Sequence, residues 1–409
     1  MNLVFDRRKL LDCLSSARST IGSKIDLMCN QIRFAIIGTG LNPIAYIYGT
    51  NKISFICLCY GELKDGSQKI AKDEQYHFLL DYDKFVKILK SSTREDVTIT
   101  ETQKAVYDAN NKLTTSSRFK VQTEARNFIN SLDVLQFPDE DFEGTLIAEY
   151  ESGIFPKLWE KGSVARGALD VSKTCLHYDG NFFTNDGAFA CIIQTEKKIK
   201  NSSGNEIRLS INLESGISEV IQKMLGPIKI MVSATQDFTT ISKIYIVDEL
   251  TGIYLATGLS QTPRMKYETI LTGFEYPGKM VVNKEQFRSA LDRAQAFVDK
   301  NYSNGIFFDI QKTETSASLK ISTQEDDAGQ RFEEDVPLIE CKSDLHSRYN
   351  VINLLKSLDV FDGDTVSIFW RETKTANYTD NTIKIVEDGV DHKFKINTVI
   401  PSMIGSRQQ

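Results

Sequence analysis

The feature that most constrains this sequence is a plan it repeats three times, about 130 residues apart: helix, strands, helix, strands, then an X-Pro close. In the first copy, Leu10, Leu11 and Leu14 mark an amphipathic helix over Phe5 to Thr20, because side chains three or four apart share a helix face. Strand-like runs follow at 31–37 and 45–48. A second helix is predicted over Tyr82 to Lys90, where Phe85, Ile88 and Leu89 keep the same spacing, and it leads into the alternating strand 96–100. The plan returns with helices at Ile154 to Lys161 and Gly216 to Leu225, then a strand at 228–232. It returns again with helices at Asn283 to Asp299 and Arg348 to Lys356, then a strand at 365–369. The copies close at Phe137-Pro138, Thr262-Pro263 and Ile400-Pro401. Two short helices against many strands per copy predict an α+β fold, with helices on one face of antiparallel sheets. The acidic and glycine-containing stretches 139–145 and 272–278 read as linkers. They divide the chain into domains 1–142, 143–275 and 276–409.

Composition narrows the function classes. No apolar run approaches the roughly 18 residues of a membrane span, and the start, Met1 to Arg8, lacks the pattern of a secretory leader. Seven cysteines without framework spacing predict reduced thiols and a cytoplasmic setting. Cys57 and Cys59 share one face of a strand and read as structural thiols, since a metal would need two more ligands nearby. The four histidines, His77, His177, His346 and His392, are isolated, and no nucleotide-binding glycine loop or nucleophile elbow stands where a strand-to-helix turn would give it meaning. The acidic runs Asp139-Glu140-Asp141, Glu325-Asp326-Asp327 and Glu333-Glu334-Asp335 read as solvated charge. No catalytic residue, metal or cofactor is expected.

The chain resembles the bacterial-type DNA polymerase III β sliding clamp family over nearly its whole length, as a divergent member. The local matches are Phe119-Lys120-Val121 running on to Phe137-Pro138-Asp139-Glu140-Asp141, then Thr184-Asn185-Asp186-Gly187, and the closing strand Thr398 to Ile404. The resemblance implies three clamp domains per chain, two chains closing a ring around double-stranded DNA, and a non-catalytic role tethering a DNA polymerase. Two-domain chains that trimerise would be shorter. The implied partners are duplex DNA, a second copy of the chain, and short peptides of the polymerase and the clamp loader.

The charge distribution can be set against that picture. The net charge is −6, yet the helical segments together carry about +7, which leaves about −13 elsewhere. Basic helices in an acidic shell suit a ring that centres a duplex without gripping it. The expected DNA-facing residues are Arg7, Lys24, Lys84, Lys87, Lys90, Lys161, Arg288, Arg293, Lys300 and Lys356. For each lysine alone, a solvated helix face is the ordinary alternative. By resemblance, the ring would close through Phe119 and Val121 of one chain against Phe297 and Val298 of the next. The partner peptide would dock on Asp186, Gly187, Phe189, Pro263, Met265, Val399, Ile400, Pro401 and Met403. Here Asp186-Gly187 is followed by Ala188-Phe189-Ala190, where the family has His-Arg-Leu, so the expected wall is more apolar. Such divergence would suit a clamp serving a separate replication machine, a viral one included. Two other readings stay open: a clamp-like ring that recruits transcription or repair factors, and a β-rich interaction protein that binds no DNA.

Overall fold

The computed structural model describes residues 1–21, 27–107, 113–167, 174–195, 198–200, 204, 206–213, 216–235, 240–260, 267–298, 304–313, 316–326, 329–371, 373–374, 379–387 and 394–403. The first copy runs β1 (Asn2–Asp6), α1 (Arg7–Ala17), β2 (Gln31–Ile37), β3 (Ile44–Thr50), β4 (Ser54–Glu62), β5 (Gln75–Asp81), α2 (Tyr82–Ser91), β6 (Asp96–Tyr107), β7 (Leu113–Gln122) and β8 (Arg126–Asn130). The second runs β9 (Thr145–Tyr150), α3 (Ile154–Gly162), β10 (Cys175–Tyr178), β11 (Phe182–Asn185), β12 (Ala190–Thr195), β13 (Leu209–Asn212), α4 (Ile217–Ile221), β14 (Ile228–Ala234), β15 (Ile241–Asp248) and β16 (Ile253–Gly258). After α5 (Tyr267–Thr272), the third runs β17 (Gly278–Asn283), α6 (Lys284–Gln295), β18 (Gly305–Lys312), β19 (Ala317–Ser322), β20 (Glu333–Cys341), β21 (His346–Asn350), α7 (Val351–Leu358) and β22 (Thr365–Trp370). It ends with a two-residue ladder, β23 (Thr373–Lys374) and β24 (Thr379–Asp380), then β25 (Ile383–Glu387) and β26 (Phe394–Ile400).

The pairing repeats with the order. In each copy the strand before the first helix pairs with the strand after the second: β1 with β6, β9 with β14, β17 with β22. The strand after the first helix lies between its two neighbours, as β2 does between β3 and β5. Copies are joined by one further rule. The third strand after a copy's first helix pairs with the last strand of the next copy, β4 with β16 and β12 with β26. The chain forms two compact units, residues 1–157 with 214–259, and 158–213 with 260–409.

Local chemistry explains why strands turn into helices where they do. Asp6, Asp81, Asn283 and Asn350 each end a strand, and each side chain accepts an N–H from the first turn of the helix that follows. Such caps satisfy orphan donors and contribute about 1 kcal/mol each. They also correct the predicted starts: Phe5 belongs to β1, and Arg348 to Asn350 belong to β21. In the second copy the entries are left-handed glycines instead, Gly153 and Gly216. A Cβ on Gly216 would sit 2.0 Å from the Ser19 carbonyl oxygen, so only glycine fits. The predicted helix 216–225 is only Ile217–Ile221.

The sheets' inner faces hold the cores. Phe34 stacks on Phe78 at 4.8 Å and Phe78 on Phe119 at 4.5 Å, with Phe5 and Phe85 edge-on to Phe34. Phe119 and Val121 are buried in the first copy's own core. Two acidic residues read as solvated charge are anchors: Asp139 accepts from Arg33 Nη2 at 2.8 Å, and the Glu140 carboxylate meets Lys243 and Tyr245. The Arg33 guanidinium holds the Asp139 carboxyl below its ordinary range. Burial pushes the Cys57 thiol up to about 12, away from reactivity. Among the described residues no helix is long and apolar enough to cross a membrane.

Candidate functional site

Helix α2 buries Tyr82, Phe85 and Leu89, and at 100° per residue Lys84, Lys87 and Lys90 fall on the opposite side. The stripe is about 9 Å long at 1.5 Å per residue. Lys84 is 72% exposed, with Asp81 Oδ2 3.3 Å from its ammonium; no described carboxylate lies within ion-pairing distance of Lys87 or Lys90. This is the basic face expected from the sequence.

The other expected cations are placed differently. Arg7 donates to the carbonyls of Leu89 (3.3 Å) and Arg94 (2.6 Å), so its guanidinium ties the end of α2 to α1. Lys161 is a correction: it is buried, with its ammonium 2.7 Å from Asp362 Oδ2, and offers no charge to solvent. Arg288 pairs with Asp359 at 2.5 Å, and Arg293 makes a bidentate pair with Glu334 at 2.8 and 2.5 Å. Lys356 is half-exposed on α7. Lys24 and Lys300 lie outside the described residues. Removing one partner of a buried pair strands the other, but Asp362 remains open to water. Lys161→Met should therefore cost about 1–3 kcal/mol of stability. Urea denaturation would show it; an unchanged midpoint would mean the pair contributes nothing.

A groove lies within the unit that contains the third copy. It has a volume of about 180 Å³, and Gly187, Phe189, Val399 and Pro401 from the sequence expectation line it. Ala190 of the expected apolar wall lines it too, and its remaining walls come from residues that sequence reasoning missed: Asn185, Ile270, Phe274, Tyr276, Arg371 and Thr382. Beneath it Phe183, Ala190, Ile192, Tyr267, Leu271 and Val399 form one buried cluster. The groove's turn is rigid, because Asp186 Oδ1 accepts the N–H groups of Ala188 and Phe189, and Asn353 donates to the Ala188 carbonyl. Asp186 thus shapes the turn without lining the groove. Ile400 is buried, the Met403 N–H bonds the Arg348 carbonyl, and neither is among the residues that line the groove. Pro263 and Met265 lie outside the described residues.

Among the strand edges without a partner strand in the described residues, two stand at the ends of the repeat. β8 ends the four-stranded sheet β1-β6-β7-β8, and the Glu333–Pro337 stretch of β20 pairs only with β19. Near them are exposed apolar side chains, Phe128 on β8, Phe297 after α6 and Ile339 on β20. Val298 beside Phe297 is half-buried. Phe119 presents no free surface, yet with Tyr76, Phe78, Leu132 and Val134 it lines a cavity of about 320 Å³.

No known family profile and no curated protein matches this sequence. Solved structures do. A sliding clamp (DNA polymerase III subunit beta) from Pseudomonas aeruginosa, bound to griselimycin, superposes with a TM-score of 0.78 at 16% identity, covering 99% of this chain and 100% of that one. The DNA polymerase sliding clamp of Bacillus subtilis matches with a TM-score of 0.76 at 14% identity, over 99% and 100%. The DNA polymerase beta subunit of Streptococcus pyogenes gives 0.76 at 15%, over the same shares. The chain has the α+β sliding-clamp fold. It is a divergent sequence on that fold.

Proposed function

We propose that this chain is a DNA sliding clamp, a non-catalytic ring of two head-to-tail chains that encircles duplex DNA and tethers a polymerase. The observation that carries the reading is the joining rule of the sheets. A third strand pairs with the last strand of the next copy twice within the chain, whereas among the described residues β20 meets no such last strand and β8 no such third strand. A second chain supplies both, β20 of one against β8 of the other, and two such junctions close a ring. Unpaired edges are otherwise a liability. The charges suit the junction in part: Asp335 on β20 would meet Arg118, Lys120 and Arg126 on β7 and β8, while Glu333 and Glu334 are already paired with Lys320, Arg331 and Arg293 of their own chain. The three domains of this reading are 1–142, 143–275 and 276–409. Fold likeness to clamps supports it, as does the basic stripe of α2.

The groove of Phe189, Val399 and Pro401 would take an apolar peptide from the polymerase or loader, with one or two buried side chains supplying most of the energy. The test is primer extension on a circular template. Product length should rise when chain and loader are added, and Pro401→Asp, a change at an exposed groove residue, should return it to that of polymerase alone. Unchanged product length with Pro401→Asp would place the partner elsewhere. A ring recruiting transcription or repair factors would share every feature except the polymerase response.

A further inference from the structure

The turn that follows α2 cradles an anion. One carboxylate oxygen, Glu124 Oε1, accepts the Thr93 N–H at 2.7 Å, the Thr93 hydroxyl at 2.8 Å and the Arg94 N–H at 2.9 Å. The carbonyls of the same turn are tied down on α1. Arg94 O accepts the Arg7 guanidinium at 2.6 Å, and Glu95 O accepts the Arg7 N–H at 2.8 Å. Successive N–H groups aimed at one point form a concavity that suits oxyanions. Hydrogen bonds from the Glu124 N–H, then from the side chains of Thr93 and Ser92, hold the Glu124 carboxyl well below the usual carboxylate range.

The fold repeats this arrangement after the second helix of each copy. The Gly226 N–H donates to Asp248 at 2.8 Å, and the Asp362 N–H donates to Glu387 at 2.6 Å. The settings differ. Asp248 is fully buried, and the third cradle carries the charge of Asp362 itself. In the first copy Thr93, Arg94 and Glu124 are all exposed. No described carboxylate lies within ion-pairing distance of Arg94, or of Lys90 just before the turn. The first cradle therefore extends the basic stripe of Lys84, Lys87 and Lys90.

We propose that this cradle is a site for a phosphate of the DNA backbone, with Glu124 as its internal competitor. This rests on the reading of the chain as a DNA-encircling protein, and deepens it. Carboxylate and phosphate oxygens accept the same charge-assisted bonds, so exchanging one for the other costs little. Lys90 and Arg94 draw the phosphate in, and Glu124 retakes the donors as it moves on. A contact with a competitor at hand does not become a grip, as sliding requires.

Fluorescence anisotropy with a short labelled duplex at low salt tests this on the full chain. Glu124→Gln keeps an acceptor for the N–H groups but removes the competing charge, and should bind about tenfold tighter. Glu95→Gln removes an exposed charge beside the cradle without emptying it, and should change affinity by less than about twofold. Equal gains from the two would mean bulk charge alone and overturn the proposal. Glu124→Ala guards against a loosened turn, read by hydrogen exchange at Thr93 and Arg94. Their exchange should quicken in that variant and slow again when duplex is added. Exchange that duplex leaves untouched would make Glu124 a structural tie only, overturning the phosphate site while the DNA reading stands. Duplex binding by none of the proteins would overturn both.

Discussion

Phe297→Asp should convert the protein from a particle of about twice the 46.2 kDa chain into a single chain at micromolar concentration, read by light scattering. Phe297 is 44% exposed and packs only loosely, its ring 5.8 Å from that of Phe332. The substitution therefore costs the isolated chain little, and circular dichroism should be unchanged. In the dimer the same position would be desolvated, and an unpaired carboxylate there costs several kcal/mol, enough to weaken association by orders of magnitude. On the proposed junction, the cavity lined by Phe119 on β7 would receive the Phe297 ring. Phe128→Asp on the β8 edge should act in the same direction. A dimer that survived both would move the junction away from these edges, and a monomer in the unmodified protein would require a loader to close the ring.

The second large effect belongs to α2. Replacing Lys84, Lys87 and Lys90 together by Glu should lower the slope of log affinity for short duplex against log salt by about 3, one unit for each phosphate that a lysine no longer neutralises. Arg288→Gln with Arg293→Gln should leave the slope nearly unchanged, because Asp359 and Glu334 already neutralise those cations. Equal reductions from the two sets would mean that the ion pairs of the third copy open when DNA enters. Loss of helix content in the triple variant is not expected, since all three side chains point away from Phe85 and Leu89.

The fold was legible because its signal is periodic: Phe85 and Leu89, or Phe287, Leu291 and Ala294, repeat at helical spacing and all are buried. Helix starts were missed by a few residues where strand and helix abut, although the Asp or Asn at each junction was the available sign. The groove was legible only in part. Gly187, Phe189, Val399 and Pro401 lie in segments that match the clamp pattern, but Phe274 and Tyr276 sit in the stretch 272–278 that reads as linker, with Ile270 just before it, and no period marks an inward-facing side there. Lys161 could not be placed at all from sequence. Its partner Asp362 is distant along the chain, and a lysine in the last turn of a helix looks solvated until the fold brings a carboxylate to it.

Encirclement of DNA is tested most directly by changing the topology of the DNA. The protein is loaded on a nicked circular plasmid, washed at about 0.5 M salt, and the plasmid is then cut once. A ring should be retained on the circle through the wash and released within minutes of linearisation, for the unmodified protein alone and not for Phe297→Asp. Retention on the linear product at that salt would contradict it, since the protein would then be gripping DNA and not surrounding it.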